Sequence, residues 1–243
     1  MIAQSANLFF RGLLAFALCC TAVAAEKKKP SLKPKPAPAK AVPAVPAVPK
    51  TEPTADVVKK DDAQKLHDEA LVAFQRGDFV TAKFGYQKVL ELAPDNAPAL
   101  LNLALVEQRL KQFDSSDRHL KQIISKDPEN ATAWLVLGIN AYQREKLDAA
   151  FAHLAQAVLY APKNPQAHQF LGVTLGRRGW YSAGEDELRR AIELDPKLAD
   201  SHYNLAVLYM QRVPPSIELA RRHYEKALEL GAPPDAALAK KFE

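Results

Sequence analysis

The stretch from Ala131 to Asn164 reads ATAWLVLGINAYQREKLDAAFAHLAQAVLYAPKN, and weaker copies of these 34 residues lie on both sides of it. The copies begin at Ala63, Ala97, Ala131, Pro165 and Ala199. Self-similarity at a fixed period of this size signals a stack of small units, none of which buries its apolar face alone, and argues against one closed globular core.

Within the central unit the spacing predicts two helices. Trp134, Leu137, Gly138 and Ala141 share one face of a helix over about Thr132 to Arg144. Ala150, Leu154, Ala157 and Val158 share one face of a second, over about Asp148 to Tyr160. Pro162 then stops the chain from continuing as helix, because proline donates no backbone hydrogen bond. Small residues (Gly138, Ala150, Ala157) let the two backbones approach, and large ones (Trp134, Leu137, Leu154) are expected to fill the gap toward the next unit.

The pattern resembles the tetratricopeptide repeat, W-x2-L-G-x2-Y, then A-x3-F, then P. The central unit carries Trp134, Leu137, Gly138, Ala150, Leu154, Ala157 and Pro162. Its neighbours repeat the scheme with Leu100, Leu103, Ala104, Leu120 and Pro128, and with Leu171, Gly172, Leu188, Ala191 and Pro196. The resemblance implies an all-α, right-handed superhelical solenoid of about five helix-turn-helix repeats. Their bounds are 63–96, 97–130, 131–164, 165–198 and 199–234, with a short cap at 235–243 begun by Asp235. Asp61 or Asp62 is the expected N-cap of the first helix. The sequence departs from the pattern at Ser116 and Gly184, where the second helix normally has Ala, and at His168 and His202, which stand at the Trp134 position as aromatic substitutes.

The resemblance also implies a function. First helices of such stacks line a concave groove that takes an extended peptide or a helix of a partner protein. Carried onto this chain, the wall is Leu101, Asn102, Leu105 and Arg109; then Val136, Ile139, Tyr142 and Gln143; then Gln169, Phe170, Val173 and Arg177; then Tyr203, Asn204, Val207 and Gln211. That is an apolar strip edged by amides and two arginines. Asn102 and Asn204 suit a ligand backbone, since an amide both donates and accepts. The family's carboxylate clamp is not expected, because Asp68 stands where its first Asn would be. The alternatives are a self-assembling module, with a second copy of the chain as partner, or an accessory subunit of an envelope assembly or secretion complex.

Ahead of the repeats the composition changes. Residues 1–25 read as a secretory signal peptide: Arg11, the apolar run GLLAFALCC, then Ala22-Val23-Ala24-Ala25 for cleavage near Ala25. A retained anchor is the rival, but the apolar run falls short of the roughly 20 residues that span a bilayer. Residues 26–60 hold eight prolines and three copies of Ala-Val-Pro, so a disordered, partly stiff linker is expected there. This stretch has nine lysines against three acids, whereas residues 61–243 have 23 basic residues against 25 acidic. The basicity is therefore a tail, suited to weak contact with anionic lipid or envelope polymers. The repeats lack the dense basic face that nucleic-acid binding needs. Export points to a bacterial periplasm or cell envelope.

No nucleophile elbow, phosphate loop or zinc-protease motif occurs, and the only cysteines, Cys19 and Cys20, lie in the leader. No catalytic residue, cofactor or metal is expected. His119, His153 and His223 recur at one register, but repeats stand roughly 8–10 Å apart, too far for one ion with bonds near 2 Å. Trp180, in the turn of the fourth unit, is open to packing or to partner contact.

Overall fold

Eleven α-helices follow one another in the computed structural model, which describes residues 55–242. The repeats lie in one compact unit, Asp62–Glu243. The helices are α1 (Ala55–Gln75), α2 (Phe79–Leu92), α3 (Ala97–Arg109), α4 (Phe113–Lys126), α5 (Ala131–Gln143), α6 (Leu147–Tyr160), α7 (Pro165–Arg177), α8 (Tyr181–Leu194), α9 (Ala199–Gln211), α10 (Ile217–Glu229) and α11 (Ala236–Ala239). A 3₁₀ turn over Lys240–Phe242 closes the series, and no strand occurs among the described residues. Each repeat is one hairpin, α3 with α4, α5 with α6 and onward. The expected leader at 1–25 lies outside the described residues, as does most of 26–60. Helix α1 begins at Ala55, so Asp61 and Asp62 sit inside it and not at its cap.

Local chemistry punctuates the helices at the repeat period. Asn96, Asn130 and Asn164 each accept a backbone N–H of the helix that follows, at 3.0 Å in each case, which satisfies an otherwise orphaned donor. Two residues beyond the first helix of four repeats stands a residue with positive φ: Gly77, Lys111, Glu145 and Gly179. After each, an N–H bonds back to the carbonyl five residues earlier, as in Gln112 to Glu107 at 2.7 Å and Trp180 to Leu175 at 2.9 Å. This closes the helix and turns the chain sharply into its partner. Glycine adopts that conformation without strain, whereas Lys111 and Glu145 do so at some cost.

Close packing explains the small residues. A Cβ on Gly138 would stand 2.5 Å from Leu154 Cγ. At Gly184, where the pattern has Ala, an added Cβ would lie 2.9 Å from the Gly172 carbonyl oxygen and 3.1 Å from the Gly176 nitrogen. Helices α7 and α8 thus meet backbone to backbone. Successive clusters then run along the stack, one through Tyr86, Val89, Leu103 and Val106, the next through Leu100, Leu120, Ile123, Val136 and Leu137. Trp134 packs onto the second of these, so it and Leu137 fill the space toward the preceding repeat; the expectation placed them toward the next. Asp235 caps α11 by accepting from Ala237 and Leu238 N–H, and Leu238 is buried against the last hairpin.

Candidate partner-binding groove

The first helices of neighbouring repeats touch one another as well as their own hairpin partners: α3 meets α5, α5 meets α7 and α7 meets α9. The side of the stack where they meet is the candidate wall. Not every expected wall residue is open on it. On α3, Leu101, Asn102, Leu105 and Arg109 are half-buried. On α5, Val136 and Ile139 are each 1% exposed and Tyr142 is buried, so only Gln143 of that set reaches solvent. On α7, Gln169 is buried, Phe170 and Val173 are half-buried and Arg177 is exposed. On α9, Tyr203 and Asn204 are buried, Val207 is half-buried and Gln211 is exposed. The accessible apolar part of the wall is therefore Leu101, Leu105, Phe170, Val173 and Val207. The α5 residues between them are covered by the helices on either side.

Several of the buried wall residues are tied into the fold. Tyr203 donates to Asp235 Oδ2 at 2.7 Å, which anchors the cap; burial and then the neighbouring carboxylate push its phenol pKa up. Burial likewise raises Tyr142, over whose ring the Arg177 guanidinium stands 5.4 Å from the centroid. Asn204 Oδ1 is buried with no hydrogen-bond partner among the described residues.

Between repeats two and three lies a polar network that the repeat pattern does not announce. Asn140 is fully buried. It accepts from Gln108 Nε2 at 2.8 Å and donates to Ser116 Oγ at 3.0 Å and Asp117 Oδ1 at 2.9 Å. Ser116 in turn donates to the Ala104 carbonyl at 2.8 Å, which accounts for a hydroxyl where the pattern has Ala. Beside it, buried Glu107 faces His119 Nδ1 at 2.8 Å and Lys83 Nζ at 3.8 Å.

A ladder of arginines at the 34-residue period continues this linkage. Arg144 reaches back to Asp114 and Asp117, Arg178 to Asp148, and Arg212 to Glu185. Burial alone would raise Glu185, but hydrogen bonds from Tyr209 and Arg189 and the charge of Arg212 hold it below the ordinary carboxylate range. Comparing residues 34 apart would have found this ladder in the sequence.

The histidines are structural. His168 Nε2 lies 3.0 Å from the Pro162 carbonyl, as Trp134 Nε1 lies 2.8 Å from that of Pro128, so the substitute keeps the indole's bond. His153 packs on Trp134 at 5.5 Å between centroids, and His202 stacks on His223 with their Nδ1 atoms 3.0 Å apart. Among the described residues no group of three or more His, Cys, Asp or Glu could hold a metal ion. Trp180 both packs and stays open: Arg178 lies 4.3 Å from its ring and Phe151 5.5 Å, yet it is 46% exposed.

Tetratricopeptide repeat profiles match residues 111–174 and 187–229. No curated protein matches the sequence. Solved structures that share the fold include PilF of Pseudomonas aeruginosa, at 21% identity over 76% of this chain and 86% of that one, with a TM-score of 0.65. MamA of Desulfovibrio magneticus RS-1 is 18% identical over 70% of this chain and 95% of its own, with a TM-score of 0.61. YrrB, described as a TPR protein with an unusual peptide-binding site, is 24% identical over 75% and 92%, with a TM-score of 0.56. At these identities the likeness is one of fold.

Proposed function

Because the chain belongs to the tetratricopeptide repeat family, we propose that it is a non-enzymatic scaffold whose first-helix wall holds a segment of a partner protein. The observation that carries this reading is the half-buried apolar set along the first helices, Leu101, Leu105, Phe170, Val173 and Val207, beside exposed Arg177 and Gln211. Apolar side chains grouped on a solvent-facing wall gain free energy when a partner covers them, at about 25 cal/mol per Å² removed from water. In this reading the leader at 1–25 is removed near Ala25 and the protein works in the bacterial cell envelope. Residues 26–60 tether the repeats, and their lysines add weak attraction to anionic polymers or lipid.

Self-association is the second reading. It is favoured by the turn between α9 and α10, where Val213 is 97% exposed and Ile217 and Leu219 are exposed beside it. Concentration-dependent sedimentation separates the two. The direct test is capture from envelope extract with the native protein and with Phe170→Glu/Val173→Glu. Loss of a specific partner at unchanged helical content supports the groove. A partner retained by the double variant moves binding to the outer face or the ends.

A further inference from the structure

Repeats three, four and five each pack a ring from the first helix against one residue of the second, at a shared register but with different chemistry. In repeat three Trp134 on α5 meets His153 on α6, with centroids 5.5 Å apart. In repeat four His168 on α7 meets the Glu187 carboxylate on α8, its Nδ1 2.6 Å from Oε2. In repeat five His202 on α9 meets His223 on α10; the rings stack 5.3 Å apart and their Nδ1 atoms lie 3.0 Å from each other.

A proton is received differently at these places. At His168 it creates an imidazolium facing a carboxylate. Between His202 and His223 one Nδ1–H donates and the other Nδ1 accepts. A first proton, taken at Nε2 of the donor, leaves that bond intact. A second sets two N–H donors and two like charges across one 3.0 Å contact. The surroundings oppose it further. Arg189 of α8 and Arg222 of α10 bear on His223, and Lys226 of α10 bears on His202. Tyr209 of α9 packs on His223 at 5.7 Å. Among the described residues Glu185 of α8 is the acid that bears on His223, and Tyr209, Arg189 and Arg212 already bind it. Burial and then Lys226 lower His202; burial, then His202, Arg189 and Arg222, lower His223 to about 4.

The pair also stands where the fold is least clamped. Helix α10 packs on α9, and among the described residues it is followed by α11 and the 3₁₀ turn, with no further hairpin to hold it from outside. The cap is fastened across the same seam. Tyr203 on α9 donates to Asp235 Oδ2, and Tyr224 on α10 donates to the Asp235 carbonyl and accepts from its N–H. We propose that the His202–His223 contact is an acid-released latch: under mild acid α10 and the cap come away from α9 while the hairpins before them stay folded. Linkage gives the direction. The open hairpin takes up both protons near about pH 6.5, and the closed one takes one at most. Closure is therefore fully supported above about pH 6.5 and lost as the pH falls below it, by up to about tenfold in the open-to-closed ratio per pH unit. The latch does not depend on what the first-helix wall binds.

The test is hydrogen–deuterium exchange on the full-length protein at about pH 7 and about pH 5, read helix by helix by peptide mass spectrometry. Exposure times are lengthened at the lower pH to match the slower intrinsic exchange. Protection of α10 and α11 is expected to fall about tenfold relative to α4 and α8, whose hairpins set His119 against Glu107 and His168 against Glu187. His223→Phe keeps a ring for His202 and Tyr209 to pack on and takes up no proton, so it should remove most of that fall. His202→Phe, an aromatic residue at the Trp134 register, should do the same. Circular dichroism at about pH 7 shows which variants are folded, and the native profile decides should either fail. Unchanged protection of α10 in the native protein, a loss spread evenly over all the hairpins, or a fall that persists in a folded variant would each overturn the proposal.

Discussion

Replacing Asn140 by Leu tests whether the second and third repeats are joined by a buried polar network or merely by apolar contact. The substitution roughly conserves volume, so packing is little changed. It removes three hydrogen bonds: the one accepted from Gln108 and those donated to Ser116 and Asp117. The Ser116 bond is worth about 1 kcal/mol, and the charged Asp117 bond about 1.5–3 kcal/mol. Gln108 is itself buried, and losing its acceptor adds about 1–3 kcal/mol. Against this stands roughly 1 kcal/mol of added apolar burial, leaving a net loss of about 3–6 kcal/mol. Asp117 keeps Arg144, and Ser116 keeps the Ala104 carbonyl, so the damage stays at this junction. Urea unfolding followed by circular dichroism should show the midpoint fall by about 1 M or more. It should also separate the first two repeats from the last three, since a solenoid is held together by neighbour interfaces. Gln108→Leu/Asn140→Leu should recover about 1–2 kcal/mol of the loss, because removing both partners leaves fewer stranded groups. A single variant within about 1 kcal/mol of native, or a double variant that is simply additive, would refute the reasoning.

Gly184→Ala restores the family's usual residue, yet it should destabilise by about 1–3 kcal/mol in thermal unfolding, because the new Cβ meets backbone atoms of Gly172 and Gly176 that cannot yield. Lys111→Gly should stabilise by about 0.5–1 kcal/mol in the same assay, by relieving a positive φ of 58°. His223 is depressed to about 4 by burial, then by His202, Arg189 and Arg222. The unfolded chain therefore binds more protons between about pH 6.5 and 4, and stability falls as pH falls through that window. Discounted for the solvent that still reaches the ring, the loss is about 2 kcal/mol. Urea midpoints at a series of pH values should show a shallower slope in His223→Phe, with His202 and His153, also depressed by burial, keeping the remainder.

The repeat period, the five hairpins and the helix bounds were legible because they are local. Helix α5 runs Ala131–Gln143 against an expected Thr132 to Arg144, and α6 runs Leu147–Tyr160 against Asp148 to Tyr160. Each boundary is set by side chains within a few residues: Asn130 as cap, Glu145 as the positive-φ stop, Pro162 beyond. The wall was legible only as a register. Val136 and Phe170 occupy the same register position, yet one is covered and the other half-open, because coverage depends on what the neighbouring helices bring. Asn140 is one polar residue on a largely apolar helix; its partners lie 23 to 32 residues away, beyond any local pattern. Ser116 and Gly184 read as departures and are adaptations, one to a hydrogen bond, the other to a backbone contact.

A partner protein that binds this chain is expected to lie on the first-helix wall. Photo-crosslinking tests it most directly, with benzoylphenylalanine placed at Val173 on α7 or at Leu159 on α6, which is 66% exposed away from the wall positions. A discrete adduct with a partner protein in the cell envelope is expected from Val173 and none from Leu159. The same adduct from Leu159, with Val173 silent, would contradict it.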